Sequence, residues 1–395
     1  RRREQDGVPV AEVVNVHHRG TLEATYHDLE LEVAVAPVLE QLRPEVFHAQ
    51  HLLNLSAGLL RRARTGGARV FLTLHDYWLS CPRDGLRMRE DLALCATLDH
   101  AVCAECLKAS PYLVPPVQRG LAAAARRAGL GRAVHRFHAL APRTAAAALR
   151  GLRTLGPPAE RGLAAAMDRR AAFLRTATDH VQLFLAPTAF AAARAAEIGL
   201  PRERVRVAPL GAVPGPTRPR PARSRRRFGY VGTVAPHKGI HVLVAAFRGL
   251  PQAGASLAIH GLLSVQPAYA DALRRAASGD PRILFRGPFP EGGQARVLEE
   301  LDVLVLPSIW WENSPITVLE ALAAGIPVIA SRTGGVPEIV PEGAGLLVPA
   351  NDVVALRAAL LAALEGRALA GPLPALPLAT QADGARQLEA LYQAS

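Results

Sequence analysis

The chain is poor in aromatic residues and in sulfur. Aromatics make up 5% of 395 positions, and there are four cysteines and two methionines. All four cysteines fall between 81 and 106, so no disulfide framework can staple the rest of the fold. No run of eighteen apolar residues occurs, which excludes a spanning helix, and no signal peptide is visible. A soluble, cytoplasmic protein is the expectation. Acidic residues are outnumbered, 34 against 46 basic ones, for a net charge of +12 carried mainly by arginine. Such a surplus favours anionic small molecules or acidic headgroups. The basic runs lack interleaved aromatics and carry no recognition motif, so nucleic acid is not the expected partner.

Half the residues are hydrophobic, which is ample for burial. A chain of this length exceeds one core and predicts two domains. Apolar runs read as buried strands at Val10–Val16, Val46–His48, Arg69–Leu74, Val181–Ala186 and Arg204–Gly211. Helical spacing follows Val33 and starts again at Pro187-Thr188-Ala189-Phe190. Residues 107–182 are rich in Ala, Leu and Arg, an apolar stripe backed by a basic face open to peripheral membrane contact. Residues 214–227 are proline- and arginine-rich and read as an extended linker. The strand-loop-helix pattern then restarts at Phe228 and runs through Leu257–Gly261 and Ile283–Gly287.

The most informative stretch is Leu301–Val340. Asp302–Leu306 is an apolar strand closed by Pro307, and Pro327–Ala330 is another. Between them the spacing predicts a helix with Ser314 as N-cap, Pro315 in its first position and Gly325 at its end. This is a βαβ unit, expected to be parallel and right-handed. Ligands in such sheets bind beyond the carboxyl ends of the strands. Glu312 lies at one such end, and Glu320 lies eight residues on, in the helix. Between them the first-turn N–H groups of Ile316 and Thr317 offer an anion site. A carboxylate only accepts hydrogen bonds, which suits paired sugar hydroxyls. Two hydroxyl-reading carboxylates flanking an anion site outline a nucleotide-sugar reader.

A second loop fits the same chemistry. The strand from Phe228 ends in Gly232, and His237-Lys238-Gly239 precede an amphipathic helix. Glycine lets backbone approach a phosphate, and a lysine point charge neutralises it.

The run E-N-S-P-I-T-V-L-E-A-L-A-A-G-I-P-V-I-A-S, with G-G-V-P-E after it, resembles the E-x7-E motif of retaining family 4 glycosyltransferases. The resemblance implies the GT-B fold, two Rossmann-like α/β domains facing across a cleft. It also implies transfer of a sugar from a nucleotide-diphosphate donor to a hydroxyl acceptor, be it a glycan, a lipid-linked or a small molecule, as in cell-envelope or polysaccharide biosynthesis. The alternatives are a non-catalytic or truncated donor-binding relative, or another GT-B enzyme such as a sugar phosphorylase or epimerase. By resemblance Glu312 contacts the donor sugar and Glu320 the ribose, while Gly232 and Lys238 belong to a G-x5-K-G loop that holds the diphosphate. Many members carry arginine directly after the first glycine of that loop, and here that place is Thr233. His75, in T-L-H-D, resembles the first-domain histidine that faces the donor sugar. Catalytic roles are thus expected for His75, Glu312 and Lys238, and donor contacts for Gly232, Thr233, Lys238, Glu312, Ile316, Thr317 and Glu320. No D-x-D pair is present, so no metal is expected in catalysis.

The resemblance implies a first domain over 1–213, apparently lacking its first strand and Gly-rich loop. It also implies a donor domain over 228–375 and a terminal helix in 376–395 that packs back on the first domain. Cys81, Cys95, Cys103 and Cys106 lie within 26 residues, a pattern that suits a structural tetrahedral zinc, with buried free thiols or a redox pair as alternatives.

Overall fold

A computed structural model describes residues 2–5, 7–13, 21–53, 55–83, 85–108, 162–212, 225–251, 254–290, 292–374, 376 and 378–395. The expected linker over 214–224, and most of the helical stretch 107–182, lie outside the described residues. Two parallel sheets carry the fold. The first takes β3 (Val46–Ala49), β4 (Arg69–Thr73), β5 (Leu183–Ala186) and β6 (Val205–Val207) in that order. The second has six parallel strands in the order β12-β11-β10-β7-β8-β9. These are β7 (Arg227–Val231), β8 (Ser256–His260), β9 (Ile283–Gly287), β10 (Val303–Leu306), β11 (Val328–Ser331) and β12 (Gly345–Val348). Helices cover both faces of the second sheet, as the separate cores on its two sides show. Both domains are Rossmann-like, and together they form a GT-B fold.

The strand order of the second sheet reverses between β7 and β10, which pair through Val303–Phe228 and Leu304–Gly229. That switch point is where an open α/β sheet leaves a crevice for ligand. Asp302 fastens its base. The buried carboxylate accepts from the N–H groups of Arg226 and Arg227 at 3.1 and 3.0 Å and pairs with the Arg227 guanidinium at 2.8 Å. Burial alone would raise its pKa, but these bonds outweigh it and hold the group down at about 2.

Two expectations change. Of the expected Val10–Val16 strand, residues 14–16 lie outside the described residues, and Val10 and Ala11 belong to β2 (Val8–Ala11), paired antiparallel with β1 (Arg2–Gln5) in a hairpin outside both large sheets. Gly7 makes the turn at φ 79°, a conformation open to glycine. Arg225–Arg227 belong to the second domain and not to a linker. Arg225 is fully buried and its guanidinium donates to the carbonyls of Leu369 and Gly371, while Arg227 opens β7.

The terminal helix Gln381–Gln393 lies on the first sheet. Leu388, Leu391 and Tyr392 pack on Phe71, Leu183, Leu185 and Ala208, and the Tyr392 hydroxyl sits 2.5 Å from His48 Nδ1. The other ring nitrogen, Nε2, lies 2.7 Å from Thr73 Oγ1. Burial, helped by the charge of His75, lowers the His48 pKa to about 4, so this imidazole is neutral at pH 7.

Candidate active site

The loops after β7 and β10 meet at the switch point. β7 ends at Val231 with Gly232 next, and a single 3-10 turn, Pro236–Lys238, leads through Gly239 (φ 68°) into the helix Ile240–Arg248. A Cβ on Gly239 would stand 1.9 Å from the Pro307 carbonyl oxygen, so only glycine lets the loops touch. Ile309 N–H donates to the His237 carbonyl at 3.0 Å, clipping one loop to the other. This contact seats Lys238 and Glu312 together. Lys238 Nζ donates to Glu312 Oε1 at 2.7 Å, and Ser308 Oγ donates to the same oxygen at 2.5 Å. Glu312 is buried and Lys238 nearly so, with its ammonium 4.7 Å from the Trp310 ring centroid.

The helix expected after Ser314 begins one step later, as Ile316–Ala323. Pro315 is the N-cap, its ring-locked φ joined to an extended ψ of 109°, and no side chain caps the turn. Ser314 Oγ is buried without a hydrogen-bond partner. An uncapped first turn leaves the N–H groups of Ile316 and Thr317 with no partner inside the helix. Glu320 projects from the same helix, half-buried, and accepts a hydrogen bond from Gln294 Nε2. Burial raises its pKa.

Gly334-Gly335 support the Glu312 backbone. Gly335 N–H donates to the Glu312 carbonyl at 2.7 Å, and a Cβ on Gly334 would lie 2.0 Å from that oxygen. The first domain closes against this loop. Asn313 Nδ2 donates to the Leu74 carbonyl at 3.1 Å, beside His75. The Glu338 carboxylate, in G-G-V-P-E, accepts from the N–H groups of Ala189 and Phe190 at 2.6 and 2.7 Å, at the start of the first-domain helix Ala189–Glu197. A carboxylate there satisfies orphan donors and complements the helix dipole. Tyr77 sets its ring against Trp310 and Trp311, at 6.4 and 6.0 Å.

His75 lies at the end of β4 on the first-domain wall, with Nε2 2.9 Å from Gln50 Oε1. Asp76 is not its partner, because that carboxylate is occupied by His51 and by the Trp78 N–H. Burial lowers the His75 pKa, the charge of His51 adds to this and Asp76 opposes it. Thr233 is exposed, and its carbonyl accepts from the Tyr230 hydroxyl at 2.7 Å. The structure thus brings Gly232, Thr233, Lys238, Glu312, Ile316, Thr317 and Glu320 to one end of one sheet, with His75 on the opposing domain. Ser308, Gln294, Asn313, Glu338 and Tyr77 were not singled out from sequence. Only Glu338 carried a signal, as the closing residue of a motif.

The four cysteines, the candidate zinc ligands, all lie among the described residues. Among the described residues no three His, Cys, Asp or Glu side chains stand in a metal-holding arrangement, and all four cysteines are free thiols. Arg83 touches two of them: Cys81 Sγ donates to its carbonyl at 3.7 Å, and its guanidinium lies 3.6 Å from Cys106 Sγ. The thiols do share a neighbourhood. Burial, followed by Cys81, Cys95 and Cys106, pushes Cys103 up to about 11. Metal analysis with thiol titration decides the matter. Four titratable thiols without zinc match the arrangement seen here, and equimolar zinc with protected thiols would mean that the site assembles around the ion.

Among the described residues no helix is long and apolar enough to cross a membrane.

Residues 225–366 match the family described as glycosyl transferases group 1. The putative colanic acid biosynthesis glycosyltransferase WcaL of Escherichia coli K12 is 30% identical over 183 residues, 43% of this chain and 45% of that protein. The phosphatidyl-myo-inositol mannosyltransferase of Mycobacterium leprae is 35% identical over 136 residues, 34% of this chain and 36% of the relative. The chain thus spans less than half the length of these curated relatives. Among solved structures, Anabaena Alr3699/HepE in complex with UDP superposes with a TM-score of 0.56 at 14% identity, covering 91% of this chain and 77% of that one.

Proposed function

We propose that this chain, whose residues 225–366 match the family described as glycosyl transferases group 1, moves a sugar from a nucleoside-diphosphate sugar to a hydroxyl acceptor, with retention at the anomeric carbon. The observation that carries this reading is the convergence of Lys238, Glu312 and an uncapped helix start at the switch point of the second sheet. In it the diphosphate lies between Lys238 and the N–H groups of Ile316 and Thr317. Glu320 accepts from the ribose hydroxyls, Glu312 from the donor sugar, and His75 meets that sugar from the other domain. The reaction is then driven by positioning and by fixed charge at the leaving diphosphate, with no metal in the step. The UDP in the HepE structure makes a uridine donor the first to try.

A thermal-shift screen of the whole chain against UDP, GDP, ADP and their sugar conjugates tests the reading. One nucleotide is expected to raise Tm selectively, and Glu320→Ala to weaken that nucleotide at least about tenfold, the scale of one hydrogen bond to a charged group. Unchanged affinity in Glu320→Ala would remove the ribose assignment. No shift with any nucleotide would remove the donor site itself.

A further inference from the structure

We propose that Arg83 of the first domain supplies the second cation for the donor's diphosphate, across the cleft from Lys238. This rests on the glycosyl-transfer reading above. A nucleoside diphosphate leaves with more than one negative charge. Lys238 brings one positive charge, which Glu312 already offsets at 2.7 Å. Position 233, next to the glycine that follows β7, is an uncharged threonine. In the described loops after β7 and β10, residues 232–239 and 307–315, Lys238 is the one lysine or arginine.

The first domain has a candidate in place. The backbone on either side of Arg83 turns back on itself, with Cys81 N–H on the Tyr77 carbonyl, Gly85 N–H on the Cys81 carbonyl and Leu86 N–H on the Arg83 carbonyl. Gly85, at φ 65°, packs so closely on Asp76 that a Cβ would stand 2.7 Å from that carboxyl group. The turn is therefore well defined, and it docks on the donor loops. Tyr77 packs edge-on against Trp310, and Trp310 in turn against His237 at 5.4 Å, next to Lys238. Met88, just beyond the turn, is buried in the second-domain core.

The charge of Arg83 is felt there. Burial first, then Lys238, with Glu312 opposing and Arg83 adding to the effect, brings the His237 pKa down to about 4. The other arginines facing this wall are engaged. Arg194 pairs with Glu197 at 2.7 Å, and Arg87 donates to the carbonyls of Cys95 and Ala96. Among the described residues Arg83 has no carboxylate partner. Its contacts, with the Met88 carbonyl at 3.5 Å and Cys106 Sγ at 3.6 Å, are long and cheap to exchange. A guanidinium also matches phosphate oxygens in a bidentate fork, which Lys238 cannot do.

The experiment measures binding of UDP, UMP and uridine, and of the guanosine and adenosine series, to the full chain. The variants are Arg83→Gln, Arg83→Lys, Lys238→Ala and Arg83→Gln combined with Thr233→Arg. Arg83→Gln is expected to weaken the diphosphate at least tenfold and leave the nucleoside unchanged, with Arg83→Lys in between. Thr233→Arg, which puts a cation on the second-domain side, is expected to restore most of the loss. Full diphosphate affinity in Arg83→Gln, with loss in Lys238→Ala, would overturn the role of Arg83 and leave the donor site standing. Full affinity in both would sink the donor-site reading. Equal losses for diphosphate and nucleoside, or no recovery with Thr233→Arg, would make Arg83 a structural residue and overturn the proposal.

Discussion

Lys238→Met is expected to cut kcat by about 10²–10³-fold, the scale of removing one fixed charge from a leaving anion, and to destabilise the fold at the same time. The second effect follows from the pair. Glu312 is buried, and with Lys238 gone Ser308 Oγ alone among the described residues reaches its Oε1. Breaking one partner of a buried pair costs about 3–5 kcal/mol, whereas replacing both with uncharged groups is often close to neutral. The 20% exposure of the Lys238 side chain places the expected cost near the lower end. Lys238→Met with Glu312→Gln should therefore recover most of the lost Tm while turnover stays low. That divergence separates a structural pair from one that also serves the donor. Normal turnover in Lys238→Met would refute the diphosphate role. A double variant no more stable than the single one would show that the buried pair is not what holds the loops together.

The framework of this site was legible because its signals are local. Apolar runs closed by Pro307 or Gly232 mark strand ends, and Gly325 marks a helix end, so the loops that follow are found without knowing the fold. Lys238 had a further local signal in composition. Of 46 basic residues only Lys108 and Lys238 are lysines, so a lysine between a strand and a helix stands out against an arginine background. The helix cap was misread because serine before proline fits a capping rule, yet the backbone at Pro315 is extended and the helix starts after it. The contacts that close the cleft had no sequence signal. Asn313 with Leu74 is separated by 239 residues, and Glu338 with Phe190 by 148, and no periodicity links positions so far apart. The cysteines teach a related lesson. Spacing identifies residues able to bind a metal, but whether their side chains converge is set by packing that no spacing records.

Gly239→Ala should be the most damaging single-atom change at the site, and the reason is steric. Its φ of 68° costs an L-residue about 1–2 kcal/mol. The new methyl would also stand 1.9 Å from the Pro307 carbonyl oxygen, a backbone atom that moves only if the whole loop after β10 moves. Overpacking of this kind adds about 1–3 kcal/mol. Gly325→Ala is the matched control. Its φ of 70° is nearly the same, but nothing lies within 4 Å of the added Cβ. Gly325→Ala should therefore show the conformational cost alone and bind nucleotide as the wild type does. Gly239→Ala should lose more stability and also bind nucleotide more weakly, because the displaced loops separate Lys238 from Glu312 and clear Ile309 from His237. Denaturant unfolding of both variants, with nucleotide titrations beside it, gives the comparison. Equal stability losses would mean the loops yield without cost. A Gly239→Ala protein that is less stable but binds nucleotide normally would show that the close approach serves the fold and not the donor.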